Sequence, residues 1–481
     1  MSTAGESLDD QIQITHVWVG GFKSFPAGSP PVQLAPLTLI YGHNSSGKSS
    51  ILEVLQLLKQ SWPVSSPDQP LAWDGPEMNL GSPSEALHRP ANPERDEMTL
   101  GLEYAIVRAD GDGDGGTTND EGGLRLKLTG KDIRAGSQRA ETISMKISYW
   151  EGSIDFVSAS PAGGRQLRRP DKNQSTPYLS GLAKAAEEFG ERLATDSFPT
   201  TVVPLLEDRG LCVGGIVGFE KEDGSARWLL DADDGPNELQ WSDGSEWLTS
   251  SDLDVLAEAA RRVAEQVTRG VELCLASYQH SMVGGSDLDE LLRRLLESDR
   301  EPNRINSWLE VLGVHLRLTT TSGGRHFAFQ RADDPRQRSV AVAMLGSGVI
   351  RMIEILAHTL SNQPGVFAMD KPETQLHPKL QLALLDFLWV LTFAGDGGNQ
   401  LLVETHSELM LLRVQLLLAE AAPVDPSRIV AVFVESGPDG STPVAIRISK
   451  DGDLRDPWPG GCFTERVEYT LNPRPLRQPG I

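Results

Sequence analysis

The stretch PLTLIYGHNSSGKSSILEVLQLLKQSW, residues 36–62, decides the fold. Pro36 to Tyr41 is a short apolar run that reads as a buried strand. Gly42 to Ser49 follows the pattern G-x-x-x-x-G-K-S. From there Ile51, Leu52, Val54, Leu55, Leu57 and Leu58 recur at helical spacing. Strand, glycine-rich loop and helix therefore come in the order that gives this loop a mechanism. A phosphate chain needs backbone N–H donors, a close approach and a positive charge. The glycines permit the approach, and the helix N-terminus adds its dipole. The pattern predicts that Gly42, Asn44, Ser45, Ser46, Gly47, Lys48, Ser49 and Ser50 cradle the phosphates of a nucleoside triphosphate. Lys48 would reach the β- and γ-phosphates, and the Ser49 hydroxyl would hold Mg2+.

Two segments far downstream complete such a site. Gly365 to Met369 reads as a buried strand and delivers Asp370 at its tip, followed by Lys371-Pro-Glu373. A carboxylate at the end of an apolar strand is what a second metal contact requires. An Asp also commonly caps a turn, but the upstream loop tips the balance toward metal for Asp370. Gln400 to Glu404 is another buried strand, followed by Thr405-His406-Ser407. Polar residues at the carboxyl end of a parallel strand face the ligand crevice of an α/β sheet. His406 would touch the γ-phosphate or the attacking water. Helices are expected over 348–360, 378–391 and 408–420, and strands over 428–435 and 444–448. Buried strands alternating with helices predict an α/β head with a mainly parallel sheet.

A large insertion separates the two halves. Met98 to Ile106 and the runs LRLKLTG and TISMKISYW (within 124–157) read as strands. The acidic, glycine-rich run DGDGDGGTTNDEGG, residues 110–123, reads as a disordered hairpin tip. Residues 251–300 and 306–312 read as helical, and 314–320 and 326–330 as paired strands. The expected division is 1–100 and 315–425 for the two halves of the head, 101–250 for a β-rich lobe, 251–314 for a helical insertion and 426–481 for a small α+β C-terminal region.

Composition narrows the classes. No run of about 18 apolar residues points to a membrane span. The polar, acidic N-terminus lacks a signal peptide's layout, so a cytoplasmic location is expected. Cys212, Cys274 and Cys462 are odd in number and far apart, which argues against a disulfide framework or structural zinc. A net charge of −23 is the wrong sign for a surface that grips phosphate backbones throughout, although a local basic groove would still admit DNA.

These motifs carry a family resemblance. The chain resembles the AAA-type branch of ABC-class ATPases that includes SMC, RecF and overcoming-lysogenization-defect (OLD) proteins. Phe22-Lys23-Ser24-Phe25 resembles their early FKSF strand, which brings Lys23 into the nucleotide site by analogy. GHNSSGKSS, MDKPETQLHP and VETHS resemble their P-loop, metal strand and histidine switch. Leu345-Gly-Ser-Gly348-Val-Ile-Arg351 sits where they carry a signature segment. Trp458-Pro-Gly-Gly-Cys-Phe463-Thr-Glu465 resembles the WPxGFF run of a bacterial subfamily of predicted ATPases. The resemblance implies ATP and Mg2+ as ligands, and a homodimer or higher homo-oligomer. In it, Gly346, Ser347 and Gly348 of one copy close over the nucleotide of the other.

The departures shape the functional reading. Gly346 stands where the signature serine is usual, and Lys371 where many relatives carry a catalytic Glu. A lysine cannot serve as that base, so Glu373 or Glu404, with His406, would place the water, and turnover would be slow. Glu435 and Asp451-Gly452-Asp453 invite a comparison with a Toprim nuclease, but the intervening segment is too short and the acids read as a turn. One expectation is a switch ATPase in anti-phage defence that controls a separate effector protein, a nuclease being one such effector. The other is a RecF- or SMC-like scaffold that clamps DNA. No NKxD motif for guanine is present, which leaves ATP as the expected nucleotide.

Overall fold

The computed structural model describes residues 11–64, 71–88, 97–109, 117–129, 142–149, 152–159, 215–221, 224–230, 269–281, 302–311, 316–320, 327–331, 336, 338–340, 345–361, 364–394, 398–420 and 424–459. Along the chain come β1 (Gln11–Gly20), β2 (Val32–Gln33), β3 (Leu37–Gly42), α1 (Lys48–Ser61) and the single turn α2 (Pro83–Ala86). Then follow β4 (Glu97–Ala109), β5 (Thr117–Thr129), β6 (Thr142–Tyr149), β7 (Gly152–Ala159), β8 (Gly215–Lys221) and β9 (Gly224–Leu230). A helical stretch over 269–277 leads directly into β10 (Tyr278–Ser281). The remainder is α3 (Pro302–Val311), β11 (Leu316–Thr320), β12 (Phe327–Arg331), β13 (Ser339–Val340), α4 (Ser347–Ser361), β14 (Val366–Asp370), α5 (Pro378–Phe393), β15 (Gln400–Glu404), α6 (Glu408–Ala419), β16 (Ile429–Gly437) and β17 (Gly440–Arg447). The chain divides into two compact units, 1–31 with 53–277, and 32–52 with 278–481.

The second unit holds a six-stranded sheet in the order β10-β14-β15-β3-β16-β17. The first five strands are mutually parallel, and β17 closes the edge antiparallel to β16. Every residue of β3 and β15 is buried. Strands covered on both faces lose the apolar/polar alternation and become continuous apolar runs, which is why LTLIY and QLLVE read as they do. Leu37, Leu39, Phe367, Leu401, Val403 and Phe433 contribute to one core with Met352, Leu356, Leu384 and Leu388 of α4 and α5. His377 caps α5, its Nδ1 accepting from the Lys379 N–H at 3.3 Å, and Pro378 takes the first helical position. β11, β12 and β13 form a small antiparallel sheet, with the pairing of 316–320 and 327–331 that the sequence predicts. This is the α/β architecture expected, with an antiparallel lobe beside it in sequence.

In the first unit β1, β4, β5, β6, β7, β8 and β9 lie side by side in that order, each antiparallel to the next. A bulge between Ile14 and His16 shifts the phase of β1, so that Ile14, Val17 and Val19 are all buried. Opposite them Leu100, Leu102 and Tyr104 alternate strictly. One expectation fails here. Residues 117–123 of the acidic run are part of β5, paired with β4 from Ala109↔Thr117 to Glu103↔Gly123. Of the glycines in this run, Gly122 and Gly123 are strand glycines. A Cβ on Gly122 would lie 2.4 Å from the Tyr104 hydroxyl, and one on Gly123 would lie 2.9 Å from the Leu102 carbonyl oxygen. The lack of a side chain lets the neighbouring strand close in. Residues 110–116 lie outside the described residues, as do most of 251–300, 312–315 and 460–481.

Cys274 is fully buried, and burial pushes its thiol far above the ordinary value. The thiolate is the reactive form, so Cys274 is expected to resist maleimide in the native protein and to react once denatured. Peptide mass spectrometry reads this directly; native labelling of Cys274 at the rate of a free thiol would contradict it.

Among the described residues no helix is long and apolar enough to cross a membrane.

Candidate functional site

The glycine-rich loop leaves β3 at Gly42 and enters α1 at Lys48. Gly42 has φ +147, Gly47 φ +92 and Ser45 φ +63, so the loop turns on conformations that side chains disfavour. A Cβ on Gly42 would come within 2.6 Å of both Ser46 Oγ and the Val434 carbonyl oxygen. His43, Asn44 and Ser45 are exposed at the rim, while Ser46, Lys48 and Ser50 are buried. Lys48 Nζ donates to the carbonyls of Gly42 at 3.0 Å and His43 at 2.7 Å, arching back over its own loop. Ser46 Oγ is buried with no hydrogen-bond partner in the protein. A backbone nest, a buried hydroxyl and a buried ammonium converging on one loop are the donor set that a polyphosphate fits.

The acidic partners arrive through sheet register. Glu404 pairs with Ile40 across β15 and β3, and Asp370 pairs with Glu404 across β14 and β15. Thr405 N–H donates to the Ile40 carbonyl at 3.0 Å, and Lys371 N–H to the Glu404 carbonyl at 2.8 Å, which extends the ladder past the strand ends. With strands about 4.8 Å apart, Asp370 stands two spacings, roughly 10 Å, from the axis of β3 at the same sheet edge as the loop. Asp370, Glu404 and His406 are thus brought beside Gly42 to Ser50, and Glu373 joins them through its Oε1, which accepts from the His406 N–H at 2.8 Å.

Lys371 dominates the electrostatics of this edge. Its Nζ lies 2.8 Å from Asp370 Oδ1 and 2.9 Å from Glu404 Oε1. Burial alone would lower the ammonium, but hydrogen bonds and charge from the two carboxylates outweigh it and hold Lys371 above the ordinary lysine value. Glu404 is 1% exposed. Its Oε2, like Oε2 of Glu373, is buried without a hydrogen-bond partner in the protein. Burial, helped by the charges of Lys48 and Lys371, holds His406 below the ordinary histidine value against the pull of Glu373 and Glu404. The imidazole is therefore neutral at pH 7 and able both to donate and to accept.

Arg351 closes the signature-like segment of the sequence, but its role at this edge was not read there. It is 6% exposed on α4, and its Nη2 donates to the carbonyls of Asp370 at 3.0 Å and Lys371 at 3.1 Å. That clamp fixes the peptide at which Lys371 adopts φ +46. The signal in the sequence was a lone arginine inside the apolar helix GVIRMIEILAHTL. Gly348 approaches the same turn, since a Cβ there would lie 2.8 Å from the Gln375 carbonyl oxygen. Gly346 and Ser347, at the start of α4, are exposed.

Lys23 belongs to the first unit, where its Nζ pairs with Glu53 at 2.6 Å and its N–H donates to Ala86 O at 2.7 Å. The Asp451-Gly452-Asp453 segment is a turn, with Gly452 at φ +83 and its N–H donating to Ser449 O at 3.0 Å. Trp458, from the C-terminal run, packs edge-on against Tyr41 of β3 at 5.4 Å and Phe433 of β16 at 5.5 Å. Phe433 in turn meets the His43 ring at 6.0 Å, so Trp458 sits against β3, which carries the loop, and against β16 beside it.

Residues 225–412 match the family described as "AAA domain, putative AbiEii toxin, Type IV TA system". No curated protein matches the chain. Among solved structures, the Smc head bound to the C-terminal winged-helix domain of ScpA is 11% identical over 90% of this chain and 98% of its own, with a TM-score of 0.44. The SMC head domain from Thermotoga maritima is 11% identical over 90% and 98%, with a TM-score of 0.35. The Smc head domain with an extended coiled coil, derived from Pyrococcus furiosus and bound to the C-terminal domain of ScpA, is 11% identical over 91% and 96%, with a TM-score of 0.39.

Proposed function

We propose that this chain is a Mg2+-dependent ATPase that works as a nucleotide-driven switch on a separate effector protein, in bacterial anti-phage defence. The carrying observation is the register that sets Asp370 and Glu404 on neighbouring strands beside a glycine loop closed by buried Lys48. Gly42, Asn44, Ser45, Ser46, Gly47 and Ser50 line the phosphates, and Lys48 neutralises the terminal ones. Ser49 and Asp370 would hold Mg2+, which when bound adds positive charge to the β- and γ-phosphates.

Glu404 receives the proton of the attacking water through its buried oxygen, and neutral His406 orients that water. Glu373 anchors the His406 backbone. The start of α4, where Gly346 and Ser347 are exposed and Gly348 follows, closes on the nucleotide of a second copy, which makes dimerisation the output of binding. The toxin named in the matched family's description supports a partner-directed switch over a DNA scaffold; a salt-insensitive lack of DNA retention would accord with that choice.

Phosphate release tests the reading. With ATP and Mg2+, Glu404→Gln is expected to lower turnover about 10²–10⁴-fold at saturating ATP, the usual worth of a general base, while ATP still binds. Unchanged turnover in that variant would remove Glu404 from the chemistry.

A further inference from the structure

Resting on this reading of the site, we propose that Lys371 is the residue that distinguishes a nucleoside triphosphate from a diphosphate: its ammonium exchanges Asp370 and Glu404 for the terminal phosphate. Lys371 is placed for such an exchange. Its side chain is 36% exposed, so the ammonium can leave its partners without crossing packed protein. Its backbone cannot drift, because the Arg351 clamp holds the carbonyls of Asp370 and Lys371 and the Lys371 N–H is tied to Glu404 O at 2.8 Å. A fixed Cα with a long, flexible stem and a compact charge is a lever with one moving end.

Charge balance supplies the selectivity. Asp370, Glu373 and Glu404 meet Lys48, Lys371 and Arg351 at this edge, with Glu354 also beside Arg351, so acids and bases are closely matched before nucleotide arrives. A diphosphate brings less negative charge than a triphosphate and lacks the group nearest the carboxylate pair. A phosphate oxygen competes with a carboxylate for an ammonium at similar range. The terminal phosphate therefore draws Lys371 away, and its departure leaves the Glu404 carboxylate unpaired as the phosphate settles. Lysine at this position couples recognition of the third phosphate to release of the buried acid.

Calorimetric titration of the full chain with ADP and with a non-hydrolysable ATP analogue, in Mg2+, is the test. Lys371→Met keeps the stem and removes the charge. It is expected to weaken the triphosphate about tenfold or more, the worth of one charged hydrogen bond, and to leave ADP affinity within about twofold. Lys371→Arg is expected to recover part of the difference. An unchanged triphosphate-to-diphosphate ratio in a Lys371→Met protein that still binds both would overturn the proposal and leave the P-loop reading standing. Absence of binding of either nucleotide to the unaltered protein would sink both. A measurement needing no variant is reductive methylation of Lys371 followed by peptide mass spectrometry. The triphosphate analogue should change its rate more than ADP does, and equal rates with the two would refute the exchange.

Discussion

Lys48→Ala is expected to weaken ATP binding by about a hundredfold, the combined worth of charged hydrogen bonds to phosphate oxygens, and to abolish phosphate release. The argument begins with where the ammonium sits. Lys48 is 4% exposed at the first position of α1, and its Nζ rests on the carbonyls of Gly42 and His43. Those two carbonyls hold the ammonium against the glycine loop, where a polyphosphate would meet it. Alanine is a good helix former and takes away a buried cation, so the fold should tolerate the change. Isothermal titration with ATP reads the affinity, and a thermal melt guards against unfolding. An affinity within threefold of the parent, at an unaltered Tm, would show that the loop does not hold the phosphates.

Gly42→Ala should be the more destructive change, because it strikes backbone and site together. Gly42 has φ +147, and the added methyl would meet the Val434 carbonyl oxygen and Ser46 Oγ, both at 2.6 Å. Val434 is the register partner of Gly42 on β16, so its oxygen cannot step aside without opening the parallel pair. Backbone strain and overpacking each cost about 1–3 kcal/mol, and a loss of roughly 2–5 kcal/mol is expected from the two together. Nucleotide binding should vanish, since relief comes only by moving the loop. Chemical denaturation compares the two proteins; a stability within 0.5 kcal/mol of the parent, a change of the order seen at unremarkable surface sites, would show that the loop yields freely.

Much of this was legible before any coordinates. LTLIY, VFAM and QLLVE read as buried strands because a strand covered on both faces has no polar phase to display, and the observed β3, β14 and β15 match them closely. Asp370, Glu404 and His406 could be named because each follows such a run. Their adjacency could not be read, since it comes from strand register across segments remote in the chain. The Lys371 bridge was invisible for the same reason: one lysine and two carboxylates have no spacing rule when a strand pairing brings them together. The role of Arg351, named only as the end of a signature-like segment, was hidden by its setting in an apolar helix, where only tertiary contacts reveal two waiting carbonyls. Residues 117–123 of the acidic run differ in the opposite direction. Its composition argued for disorder, but glycine beneath Tyr104 is a packing device that composition does not register.

The placement of β3 also governs how the molecule is made. β3 is synthesised long before both of its neighbours, β15 and β16; Gln400 reaches back to the Ala35 carbonyl 365 positions away. During translation the loop-bearing strand must wait for both of these partners until residues 400–437 have left the ribosome. At typical synthesis rates that wait lasts tens of seconds, and contacts of such sequence separation form slowly even afterwards. The nascent chain cannot assemble the proposed nucleotide site piecemeal: the loop gains its acidic neighbours only when β14, β15 and β16 arrive.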